Sequence, residues 1–107
     1  MEKLRLHCLV DEQGRIETIE ISGRLILETA FQLKDELVAI ENKCSDKITI
    51  RIFELEEMDL SGVQLLKAFI RRMEQMKINC HFNWEIDEEQ KLLFINVGIG
   101  AELFMNN

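Results

Sequence analysis

Lys47-Ile48-Thr49-Ile50-Arg51-Ile52-Phe53 sets Ile48, Ile50 and Ile52 against Thr49 and Arg51, the two-residue period of a strand with one buried face and one wet face. A strand covered on both faces would read as an unbroken apolar run, so this alternation predicts a sheet packed on a single side. The same period recurs on either side of it. Towards the N-terminus, Leu4, Leu6, Cys8 and Val10 alternate with Arg5, His7 and Leu9; towards the C-terminus, Ile78, Cys80, Phe82 and Trp84 alternate with Asn79, His81 and Asn83. A further strand is predicted from about Ile16 to Ile21. Asp11-Glu12-Gln13-Gly14 joins it to the first as a hairpin whose glycine is free to take positive φ, and Ser22-Gly23-Arg24-Leu25 ends or bends it.

Between these strands the period changes to that of a helix. Thr29 with Gln32 three residues on reads as a capping box, followed by a buried stripe of Ala30, Leu33, Leu37 and Ile40. Asn42 to Asp46 is polar and closes that helix. Ser61 with Gln64 reads as a second capping box, opening a helix whose stripe is Leu65, Leu66, Phe69, Ile70, Met73 and Met76. Asp87 with Gln90 reads as a third start, running to Val97 before Gly98, and Ala101 to Phe104 as a last helical turn. The expected order is β-β-α-β-α-β-α-α. The fold class is therefore α/β, a single mixed sheet with helices mainly on one face and right-handed β-α-β crossovers. Without prolines, repeats or linkers, the 107 residues are expected to form one domain, residues 1–107.

Composition narrows the partners. Twenty acids against 13 bases give a formal charge of −7, which argues against nucleic acid and anionic membrane surfaces and suits a basic protein partner. Cys8, Cys44 and Cys80 are three widely spaced thiols with neither a disulfide framework nor zinc-ligand spacing. No leader-like N-terminus and no run of the ~20 apolar residues that span a bilayer is present, so the expected location is the cytoplasm, without membrane insertion.

Met58-Asp59-Leu60-Ser61-Gly62-Val63-Gln64-Leu65-Leu66 resembles the D-[ST]-[SA]-G-x-x-x-L signature of STAS domains, in the loop between a core strand and an amphipathic helix. Ile19 to Leu25 followed by Thr29-Ala30 is similar to that family's strand, G-x-L bend and helix start. Leu92-Leu93 through Val97-Gly98-Ile99 and Leu103-Phe104 is similar to its closing segment. The resemblance runs in order along nearly the whole chain and is to the anti-sigma factor antagonist type.

That resemblance implies a non-catalytic binding switch. Its members bind an anti-sigma factor that is also a serine kinase, which phosphorylates a Ser or Thr directly after the motif Asp and so ends binding; a phosphatase resets the switch. A phosphate adds about −1.5 to −2 charges at a helix N-terminus, enough to break an interface. The partner-binding residues implied here are Asp59, Leu60, Ser61, Gly62, Gln64 and Lys67. The sequence departs from the pattern at the acceptor position, which is Leu60. Ser61 is then a substitute phosphoacceptor, or a helix N-cap only, or the domain is a constitutive binder regulated elsewhere. Leu60 is either an exposed apolar anchor or part of the core. Asp59 shapes the loop, binds nearby backbone N–H groups, or does both. Gly62 either allows close approach of a partner or is merely tolerated at a helix start.

Other signals carry less. Gly98-Ile99-Gly100 lacks the preceding strand and the final glycine of a dinucleotide fingerprint, and reads as helix-ending glycine. Glu54, Glu56, Glu57 and Asp59 lack the glycine and spacing of a calcium loop and read as a solvated loop. His7 and His81 fall on outward strand faces, and Trp84 caps the core edge. No nucleophile is paired with a base and no phosphate loop exists, so no catalytic residue, no metal and no cofactor is expected. The alternative within the resemblance is a cytosolic accessory subunit of a lipid or anion transporter, where no phosphoacceptor is needed.

Overall fold

The computed structural model describes residues 4–96. Its elements are strand β1 (Leu4–Val10), strand β2 (Ile16–Leu25), helix α1 (Leu27–Ile40), a single 3₁₀ turn (Glu41–Lys43), strand β3 (Cys44–Met58), helix α2 (Leu60–Gln75), strand β4 (Asn79–Glu85) and helix α3 (Glu88–Asn96). The expected final turn at Ala101–Phe104, the approach to Gly98 and the family-like closing residues from Val97 onward lie outside the described residues.

The strands form one mixed sheet in the order β1-β2-β3-β4, with β1 antiparallel to β2 and the remaining pairs parallel. The hairpin closes through Asp11. Its carboxylate accepts the N–H groups of Gln13 and Arg15, both at 2.9 Å, while Gly14 takes φ +81°. Leu4, Ile19, Ile21, Ile48, Ile50, Ile52 and Phe82 occupy one face and are buried under α1 and α2. Helix α1 contributes Leu33 and Leu37, and α2 contributes Val63, Leu66, Phe69, Ile70 and Met73. Ala30 and Ile40 fall at the margin of the expected stripe, half-buried.

The opposite face carries the polar set that alternation predicts. His7, Glu20, Arg51 and Asn83 form one row across all four strands. Arg51 holds that row together, bonding Glu20 at 2.9 Å and Glu85 at 2.7 Å while its guanidinium lies 4.1 Å from the Phe53 ring centroid. A cation between two carboxylates and over an aromatic ring suits a face that keeps water on one side.

Two strands outrun their sequence limits. β2 continues through the expected bend to Leu25, and β3 absorbs the polar stretch from Cys44 and the acidic stretch to Met58. The extensions pair with each other as Gly23 with Leu55, Arg24 with Glu57 and Leu25 with Met58. Bulges accommodate the excess length of β3, marked by positive φ at Gly23 (96°) and Glu54 (47°). The bend is real, but it is a bulge inside a strand. Correspondingly, the acidic stretch is strand rather than loop, while Glu54, Glu56 and Glu57 are solvent-exposed as expected, Glu57 pairing with Arg24 at 2.9 Å.

Leu66 is fully buried between α2 and the sheet. Leu66→Ala should lower unfolding free energy by about 2–5 kcal/mol, read as a shift in urea midpoint at unchanged slope.

Candidate functional site

Helices α1 and α2 both begin where the parallel strands end, and Asp59 lies between them. Its amide donates to the Leu25 carbonyl at 3.0 Å, which ties the end of β3 to the end of β2. One carboxylate oxygen, Oδ1, accepts the Gly62 N–H at 3.2 Å and so caps α2. The other, Oδ2, accepts the Leu27 N–H at 3.0 Å, in the first residue of α1 and 32 positions away in sequence. A single anion thus satisfies free N–H groups at two positive helix ends.

This arrangement corrects both expected capping boxes. α2 begins at Leu60, with Asp59 rather than Ser61 as its N-cap. Ser61 is already inside the first turn, half-buried, and Gln64 is exposed on the helix surface. α1 begins at Leu27, so Thr29 sits three residues after the N-cap Ile26. Its hydroxyl accepts the Ile26 N–H at 3.2 Å and lies 2.7 Å from the Arg24 carbonyl oxygen, folding the chain back on itself. Gln32 reaches the Leu4 carbonyl at 3.2 Å instead of the helix start. Only the Asp87–Gln90 box forms as read, with Gln90 N–H to Asp87 Oδ1 at 2.8 Å and Asp87 N–H to Gln90 Oε1 at 3.3 Å.

Gly62 is buried against Leu25. A Cβ there would come within 2.7 Å of the Leu25 carbonyl carbon and Cγ, closer than real side chains approach. Its missing side chain lets α2 seat against the end of β2, which is a stronger requirement than tolerance at a helix start.

Leu60 is 46 % exposed, which excludes the core alternative. Leu60, Gln64, Lys67 and Arg71 follow at helical spacing and share one side of α2, whereas Ser61, Leu65, Ala68 and Arg72 form the adjoining stripe. Of the expected site residues, the fold therefore sets Leu60, Gln64 and Lys67 side by side, with Ser61 one position round the helix and Asp59 and Gly62 building the corner beneath them. The contribution of Leu25 and Leu27 to this corner escaped the sequence reading, because no local pattern links them to Asp59.

Among the described residues, no group of three or more His, Cys, Asp or Glu side chains could hold a metal ion. The thiols are not activated. Desolvation pushes Cys80 up to about 12, assisted by Glu74 and Cys44, and burial also raises Cys8 and Cys44.

The STAS domain family model matches residues 7–83, and the chain belongs to that family. The fold is similar to the anti-sigma factor antagonist SpoIIAA in its unphosphorylated form, at a TM-score of 0.70 and 21 % identity, covering 92 % of this chain and 83 % of that one. It is also similar to the Bacillus cell fate determinant SpoIIAA in the phosphorylated form, at a TM-score of 0.65 and 21 % identity, covering 92 % and 86 %. No curated protein sequence matches the chain significantly.

Two outcomes test this geometry. Asp59→Ala should cost about 2–4 kcal/mol, since two caps are lost together, whereas Ser61→Ala should stay within about 0.5 kcal/mol, both by chemical denaturation. Native Cys80 should react slowly with a thiolate-selective alkylating reagent at neutral pH and rapidly once unfolded. Because its folded value is raised, the stability it contributes is complete below the ordinary thiol value of 9.0 and declines as pH rises from there towards about 12.

Proposed function

We propose that this chain is a single-domain, non-catalytic interaction module of the anti-sigma factor antagonist type, working in the cytoplasm of a bacterium within a partner-switching pathway. The observation that carries the reading is Leu60: an apolar side chain, 46 % exposed, held at the tip of the Asp59 corner on the same side of α2 as Gln64 and Lys67. A rigid corner presenting one apolar anchor with polar neighbours has the makeup of a small interface centre. Membership of the STAS family and the likeness to SpoIIAA support the assignment. The partner is an anti-sigma factor with serine-kinase character, engaged through residues 59–67.

Phosphate control enters through Ser61 in this reading. A phosphate there would bring about −1.5 to −2 charges next to the Asp59 carboxylate, whose oxygens already occupy N–H groups of both helices. Repulsion at that corner would disturb the loop as well as the interface, and a phosphatase would be needed to restore both. The second reading, an accessory subunit of a lipid or anion transporter, is favoured by one observation: Leu60 occupies the usual acceptor position and takes no phosphate. Among the described residues no helix is long and apolar enough to cross a membrane, so such a subunit would act through its transporter's soluble parts.

Leu60→Glu should abolish recovery of the partner in an affinity capture from the native cell while circular dichroism and melting temperature stay nearly unchanged. Capture of a serine kinase of the anti-sigma type supports the first reading, and capture of a transporter ATPase supports the second. Unchanged capture by Leu60→Glu would refute this placement of the interface.

A further inference from the structure

Other apolar side chains stand in water where the helices begin. Leu27, the first residue of α1, is 59 % exposed, and Phe31, one turn later on the same side of that helix, is 76 % exposed. The Asp59 carboxylate limits how far they lie from Leu60. Its Oδ2 accepts the Leu27 N–H at 3.0 Å, and Leu60 is its neighbour in the chain. Covalent bond lengths on either side of that hydrogen bond keep the Cα atoms of Leu27 and Leu60 within about 12 Å of each other. Phe31 lies about 6 Å of helical rise beyond Leu27. Direction agrees with distance. Both helices start at the carboxyl end of the parallel strands, and the Cα–Cβ bond of a helical residue tilts towards the helix N-terminus. Leu27 and Leu60, each in the first position of its helix, therefore lean out over the same end of the molecule.

The ordinary size of an interface gives this nearness its meaning. A specific contact covers about 800 Å² on each partner, a patch roughly 30 Å across. A patch of that width laid over the Asp59 corner takes in all three side chains. Exposed apolar residues are ordinary singly, but one aromatic and two leucines grouped on helix backbone have the makeup of an interface centre, and they lose little freedom when covered. A wholly charged partner face would gain nothing from burying them, whereas an apolar one gains in proportion to the area removed from water. We infer, resting on the reading of Leu60 as an interface residue, that the partner engaged there also covers the start of α1. Leu27 and Phe31 are its second and third anchors, and its own contact surface is an apolar strip spanning both helix starts.

The test is titration calorimetry of the chain against the protein it captures from its native cell, identified by mass spectrometry and purified. Leu27→Ala and Phe31→Ala should each raise the dissociation constant by about tenfold or more, with circular dichroism unchanged. Val10, also apolar and exposed, pairs with Ile16 at the opposite end of β2 from Leu25 and serves as the control. Val10→Ala should alter the constant by less than about twofold. If Leu60→Glu weakens binding while both α1 variants bind as tightly as the unaltered chain, the extended surface is refuted and the Leu60 interface stands. If the α1 variants weaken binding and Leu60→Glu does not, the partner sits on α1 alone, and both readings are overturned.

Discussion

The Asp59 carboxylate is shared between two helix N-termini that come from distant parts of the chain, and the two elements that carry the site hang from it. Without an anion between them, α1 and α2 would each begin with unsatisfied N–H groups and with their positive ends close together. The carboxylate relieves both problems, and the Asp59 amide bonded to Leu25 fixes its position relative to the sheet. Gly62 completes the constraint, because only a residue without Cβ lets the first turn of α2 rest on the Leu25 backbone. The DLSG segment is thus first a structural joint, and its exposed residues inherit their positions from that joint.

This joint gives Leu60 its meaning. An exposed leucine on a mobile loop would be unremarkable, since much of any protein surface is apolar. Leu60 instead occupies the first position of a capped helix, where little conformational freedom remains to be lost on binding. Leucine at this corner offers an exposed apolar surface and no hydroxyl. Ser61, inside the first turn and half-buried, is a less accessible hydroxyl than a loop residue would be.

The two sides of α2 differ in character. The side bearing Leu60 and Lys67 is polar around one anchor, whereas the side turned towards α1 shares a groove and a row of apolar residues. On the open sheet face Arg51 bridges Glu20 and Glu85, and Leu9 is exposed at its edge.

Strand alternation around Ile48, Ile50 and Ile52 was enough to specify a sheet covered on one face, because side-chain direction in a strand follows from the two-residue period alone. The Asp87–Gln90 cap was legible for a similar reason: donor and acceptor lie within one turn of chain. The start of α1 was not legible, since Thr29 is a good local cap and the carboxylate that accepts the Leu27 N–H lies 32 positions away; at α2 two cap candidates, Asp59 and Ser61, stand two residues apart, and only the fold decides for Asp59. The acidic stretch after Phe53 likewise reads as loop, and only pairing with the end of β2, through bulges in β3, makes it strand. Sequence by itself determined the order of the strands and helices from Leu4 to Asn96, the family and the Asp59–Gly62 segment of the corner. Tertiary structure alone decided which of those residues cap, which pack and which are left outside, because hydrogen bonds and close contacts between segments depend on distances that no local spacing encodes.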